Sequence, residues 1–328
     1  MQFKTLALLA AAGSAVAQRP SNMSICDYYT TALLKSNNAT AQMTLLTLVV
    51  NTAVIGNYSA GAKNAVTGIL NKGVYNGTEV NLLPYFNGGL ASSNQGGMSG
   101  VSVNFLDDGG AVPLMKNMPA NGTSSNQYML LTHLYEYFGV LLGCTMIGQP
   151  GYPAYAGEAS QYEVHKFMDL NPLQVGYFIS QVASSAASFG VATSDIAAVG
   201  TALNKLFAYR CSPPTTVVPA QGPQLQAICS DPTCPVAMNA TCATYMNETV
   251  PLIANSSLAM GEGTNTTSMV ATATMLPSGT VTGSMMASTS GTGAGSTSTP
   301  ATSSKSDGIR NFGSFAGVVG AAALAFAL

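Results

Sequence analysis

Charge and histidine are scarce in this chain, and tryptophan is absent. Charged residues make up 7% of its 328 positions, against roughly a quarter in a typical globular protein. The net charge is −2 with no basic run, so there is no electrostatic case for a nucleic-acid partner. Only two histidines occur, His133 and His165. That leaves little for a zinc centre, and the cysteine spacings match no zinc pattern. Neither histidine is preceded by a nucleophile elbow, which argues against a Ser/His/Asp hydrolase. Gly96-Gly97-Met98 follows no strand-to-helix pattern, which argues against a phosphate cradle. The adjacent acids Asp107 and Asp108 sit among glycines and read as a turn.

What the chain does carry is processing signals at both ends. Lys4 gives a positive start, Leu6 to Ala12 an apolar run, and Ala15-Val16-Ala17 a small-x-small cleavage pattern before Gln18. The run is too short to span a bilayer, so residues 1–17 are expected to be a signal peptide. Phe312 to Leu328 is apolar and small, with no basic residue after it. Small residues at Ser304, Ser306, Asp307 and Gly308, then Ile309-Arg310-Asn311, precede this tail. Together they predict a glycosylphosphatidylinositol (GPI) attachment signal over 307–328, with Ser304 and Ser306 both open as the attachment residue. The expected location is the cell surface, anchored to the plasma membrane or cell wall.

Nine Asn-x-Ser/Thr sequons agree with export: Asn22, Asn38, Asn57, Asn76, Asn121, Asn239, Asn247, Asn255 and Asn265. Sugar rather than charge would keep such a surface soluble. Six cysteines remain in the mature chain, Cys26, Cys144, Cys211, Cys229, Cys234 and Cys242. An even count in an oxidising compartment predicts three disulfides.

Composition divides the chain. Ser212-Pro213-Pro214 breaks what precedes it, and Pro219, Pro223, Pro232 and Pro235 keep the next stretch irregular. Residues 212–254 read as a cysteine-containing cap or linker. From 255 to 306 the chain is Ser, Thr, Gly and Ala, which cannot bury a core and reads as a disordered, O-glycosylated stalk. The folded domain is expected over 22–211, and it reads as mainly α. Helices are predicted over Ile25–Lys35, Ala41–Ile55, Tyr128–Leu142 and Pro172–Phe189, the last opened by Asn171 as cap and Pro172 at its first position. A final helix carries Ile196, Val199, Leu203, Leu206 and Phe207, with Thr193 or Ser194 as its cap. Glycine and asparagine dominate 56–77 and 87–126, which read as long loops, the second holding short strands such as Val101 to Leu106.

The order of motifs from Leu130 to Cys211 resembles the second half of truncated haemoglobins. The matching residues are Val140-Leu141-Leu142-Gly143-Cys144, Tyr155-Ala156-Gly157, Val164-His165, Leu170-Asn171, Phe189-Gly190-Val191, and Asp195-Ile196 with Val199. Upstream, Leu83-Pro84-Tyr85-Phe86 resembles the family's haem-packing Phe-Phe pair. The likeness is continuous over about eighty residues and patchy before them, and the loops at 56–80 and 88–126 are insertions relative to the family. The glutamine and tyrosine that commonly stabilise bound oxygen are not evident. Leu134 stands in place of the first and a residue near Val54 in place of the second.

This resemblance implies a globin-like domain binding haem, with a diatomic gas or haem itself as partner, and a sensing, scavenging or electron-transfer role. His165 would be the proximal ligand, flanked by Val164 and Phe167. His133 would be the distal ligand, beside Leu130 and Leu134. Phe86 would stack on the porphyrin, with Tyr135, Phe138 and Phe167 lining it. Tyr155, Lys166 or Lys116 would meet the propionates. A peroxidase would need a distal acid–base group, which only His133 could supply. The family's packing of first against last helix implies a Cys26–Cys211 disulfide. The alternative is a structural or adhesive wall glycoprotein whose globin-like core has lost haem.

Overall fold

Local capping sets where the helices begin. In this computed structural model, which describes residues 19–57 and 65–260, α1 spans Ile25–Leu34 and α2 spans Ala39–Ile55. Ser24 accepts from the Asp27 N–H and Asn38 from the Ala41 N–H, each meeting a donor the helix leaves unpaired. α1 stops at Lys35, which takes the left-handed conformation at φ 57°. α2 shows no apolar stripe because nearly every side chain from Leu45 to Ile55 is buried. A helix apolar all round belongs at the centre of a core. Gly56 ends it at φ 85°, where an added Cβ would lie 2.5 Å from the Thr67 carbonyl oxygen.

The remaining long helices pack around α2. α4 (Asn126–Leu141) and α6 (Pro172–Ser188) lie against it, and α7 (Thr193–Phe207) lies against α6. α6 opens with the expected cap in full: Asn171 accepts from the Leu173 and Gln174 N–H groups, and Gln174 accepts from the Asn171 N–H. The start of α7 departs from expectation. Neither Thr193 nor Ser194 caps it; the cap position is Ala192, with no side-chain bond of its own. Tyr29 of α1 substitutes, its hydroxyl accepting from the Ala192 N–H at 2.8 Å and donating to Asp195 at 2.8 Å.

Two small antiparallel sheets flank the helices. β1 (Gly73–Tyr75) and β2 (Thr78–Val80) form a hairpin about Asn76-Gly77, both at positive φ as a two-residue turn requires. β3 (Asn87–Ser93) is central in a second sheet, between β4 (Val101–Asn104) and β5 (Leu252–Ile253). β4 falls where short strands are predicted. β3 does not, because its sequence Asn-Gly-Gly-Leu-Ala-Ser-Ser has no strand signal and forms only by pairing on both edges. Two short helices, α3 (Ala111–Leu114) and α5 (Gln161–His165), and a last turn, α8 (Ser256–Ala259), complete the described residues. The described residues are thus helical with two small antiparallel sheets.

All six cysteines are paired, but not as the resemblance implies. Cys26 bonds Cys144, Cys211 bonds Cys242 and Cys229 bonds Cys234. The Cys26–Cys211 pairing is therefore wrong. The start of α1 meets the end of α4, where the Cys26 N–H donates to the Leu142 carbonyl, while the end of α7 meets the cap segment. That segment is bound into the core: the Ile228 and Cys229 N–H groups donate to the Phe207 carbonyl, and Ser160 donates to the Leu225 carbonyl. The described residues belong to one unit, Met1–Thr274. The expected signal peptide, the GPI signal and all of the stalk beyond Met260 lie outside the described residues. Among those described, no single helix is long and apolar enough to cross a membrane.

Candidate functional site

Helices α1, α2, α4, α6 and α7 surround a cavity of about 70 Å³. Its wall exposes only apolar atoms and includes Leu46, Val50, Val54, Leu134, Phe138 and Phe178. The wall is apolar because α2 presents Leu45, Leu46, Val49, Val50, Ala53 and Val54 to it, and α4 and α6 turn their apolar sides toward it. At roughly 24 cal/mol per Å³, a void of this size costs the fold about 2 kcal/mol while empty.

Leu134, which the resemblance places opposite bound oxygen, is in this wall, as is Val54, near which the second such position falls. Phe138, an expected porphyrin neighbour, joins them. The other expected haem contacts lie elsewhere. His133 is partly buried on α4, its ring centroid 6.0 Å from that of Tyr155. Tyr155 in turn meets Tyr137 at 5.5 Å and donates to the Glu158 carbonyl at 2.8 Å. An aromatic row thus fills the flank of α4 on which His133 stands. Burial holds the His133 pKa below its ordinary value.

His165 closes α5, which packs against β3 and the adjoining turn at Asn94–Gly96. Its Nδ1 lies 2.7 Å from the Gln161 carbonyl oxygen, which makes Nδ1 the protonated nitrogen in the neutral ring. Burial depresses its pKa, partly offset by that bond. Phe167 is 1% exposed, and a Cβ at Gly100 would lie 3.1 Å from its Cβ. Phe86 ends the turn Leu83–Tyr85, and Leu130 is partly buried against the core. Lys166 is engaged by Glu163 at 2.7 Å and lies over Phe167, and Lys116 is exposed.

Haem does not fit this arrangement. Neither histidine lines the cavity, and only Leu134 and Phe138 of the eight expected contacts do. The volume of about 70 Å³ is also far below the roughly 300–1,000 Å³ of small-molecule and cofactor sites.

Two acidic features had no signal in the sequence. Glu136 is 5% exposed inside α4, where the Ala156 N–H donates to it at 3.2 Å. Burial raises its pKa, and that bond offsets part of the rise. Asp169, Asp231 and Glu248 bring carboxylate oxygens within 4.8 Å of one another, a grouping that could hold a cation. Oδ1 of Asp169 is buried without a hydrogen-bond partner. Its pKa is raised by burial first, then by Glu248 and Asp231. These residues are distant in the chain, and only the Cys229–Cys234 loop hints that Asp231 is held in place.

No protein-family model, curated protein or solved structure matches this chain.

Proposed function

We propose that this chain is an exported, GPI-anchored surface glycoprotein whose globin-like helical core has lost its haem site and takes up a small apolar molecule instead. The observation that carries the reading is the cavity wall, which offers no polar atom. The globin-like part of the reading rests on the motif order over 130–211 and on Leu134 standing in that wall. Export is supported by the pairing of all six cysteines and by exposed sequon asparagines such as Asn22, Asn76 and Asn239.

The chemistry of recognition is exclusion. A hydroxyl or charge entering the cavity would give up its water without gaining a partner, at a cost of several kcal/mol. An apolar guest gives up nothing and restores dispersion contacts that the void forfeits. Engineered apolar cavities of about 150 Å³ stay dry and bind benzene or xenon. A space half that size suits a monatomic or diatomic gas or the end of a short alkyl chain.

Differential scanning of the purified glycoprotein with short alkanes, with the matching alcohols, and with haem tests this. The alkane should raise the melting temperature, the alcohol should do so less, and haem should give neither a shift nor a Soret band. A Soret band in the native protein, or stabilisation by haem alone, would overturn the reading. No response to any of the three would leave a structural or adhesive glycoprotein.

A further inference from the structure

The surface of this protein carries apolar side chains where charge is scarce. Fifteen large apolar side chains are well exposed among the described residues, and ten of them lie within three residues of a sequon asparagine. Such stretches cover under a quarter of the described residues, so sequons and exposed apolar groups coincide far beyond chance placement.

The coincidence is densest at the end of the described chain. Eight of the fifteen fall between 236 and 260, including Met238 at 89% exposure, Leu252 at 77% and Ile253 at 68%. Asn239, Asn247 and Asn255 are interleaved with them, all exposed. Asn255 caps α8 through Oδ1, which accepts from the Leu258 N–H at 3.2 Å, so the cap does not use Nδ2, the atom a sugar takes. The same pairing recurs on the β1–β2 turn, where Val74 is 71% exposed and Asn76 follows two residues later.

Large apolar side chains left in water are unfavourable, and where they adjoin they mark a partner site or an aggregation hazard. A pyranose ring supplies a cover of the right chemistry: its C–H face packs on apolar side chains while its hydroxyls stay in water. A glycan attached one to three residues away needs no partner protein to arrive. We propose that N-glycans on Asn239, Asn247 and Asn255 are the cover of this apolar stretch. Attachment joins Nδ2 to the anomeric carbon of an oligosaccharide carried on a lipid diphosphate. The lipid diphosphate leaves, and one Nδ2 proton is lost to base. The inference rests on export through a glycosylating compartment and is independent of what the cavity holds.

The test uses the full chain secreted from a eukaryotic host. T241A, T249A and S257A together remove the three sequons while leaving every asparagine, and the α8 cap, in place. T40A removes the glycan at Asn38, which has no exposed large apolar side chain within three residues. Intact-mass analysis should find the three wild-type sites occupied. The triple variant should bind a hydrophobic dye several-fold more strongly and self-associate in sedimentation, and T40A should do neither. If the triple variant is not secreted, enzymatic removal of glycans from the folded wild type should produce the same two changes. Unoccupied sites, a triple variant or deglycosylated protein that stays monomeric with unchanged dye binding, or an equal effect from T40A would each overturn the proposal.

Discussion

At the scale of single residues, close approach decides more than charge does. Gly139 on α4 is where Tyr152 crosses the helix: an added Cβ would lie 1.8 Å from the Tyr152 hydroxyl oxygen. That hydroxyl donates to the Tyr135 carbonyl at 2.9 Å, and Tyr152 is fully buried. Gly139→Ala must displace a buried aromatic ring and break its bond, so a loss of about 3 kcal/mol in urea denaturation is expected. A near-neutral result would mean the Tyr152 loop is not seated on α4.

The titrating residues have two opposing signs. His133 and His165 both have folded pKa values below the ordinary 6.5, chiefly through burial. The unfolded chain therefore takes up protons first, and stability is lost as pH falls below about 6.5. Glu136 and Asp169 have raised values, again chiefly through burial. They act the other way: stability returns as pH falls through their raised values toward the ordinary carboxylate range. Replacing both histidines by glutamine should flatten the stability loss between pH 7 and 5, measured as unfolding midpoints in urea. An unchanged slope would show that these rings do not titrate differently on folding.

At the scale of elements, capping and periodicity were legible and long-range pairing was not. α6 could be read to within a residue because Asn171, Pro172 and Gln174 are adjacent and act locally. α7 could not, since its first turn is held by Tyr29, more than 160 residues away. β3 was hidden for the same reason, its partners lying at Val101–Asn104 and Leu252–Ile253. The histidines were legible as rare residues but not as a site, because the flank of α4 beside His133 is filled by Tyr155 and Tyr137. Cysteine oxidation followed from the even count, whereas pairing depended on which helix ends meet. The Cys26–Cys144 bridge closes 118 residues, worth roughly 5 kcal/mol in the chain-entropy model. Cys26→Ser with Cys144→Ser should lower stability by an amount of that order and sharply reduce the secreted yield. Peptide mapping that instead joined Cys26 to Cys211 would contradict the packing of α1 on α4.

At the scale of the whole molecule, a chain poor in charge encloses a cavity whose wall offers no polar atom. α2 runs through the middle with nearly every side chain from Leu45 to Ile55 buried, and the helices around it leave a void rather than a packed seam. Filling that void stabilises the fold. Ala53 is 3% exposed and lines the cavity, and Ala53→Val adds two methyl groups there. At about 0.8 kcal/mol for each buried carbon, a gain of roughly 1 kcal/mol is expected after some loss of side-chain freedom. A destabilised variant would indicate that the space is already occupied by neighbouring side chains.

Diffraction from crystals of the protein under xenon pressure shows directly whether this space admits an apolar guest. Xenon has no hydrogen-bonding capacity and reports only accessible apolar volume. One strong site is expected in contact with Leu134, Phe138 and Val54, absent in Ala53→Val. Xenon that binds only at the surface, or a wild-type cavity that stays empty at saturating pressure, would contradict it.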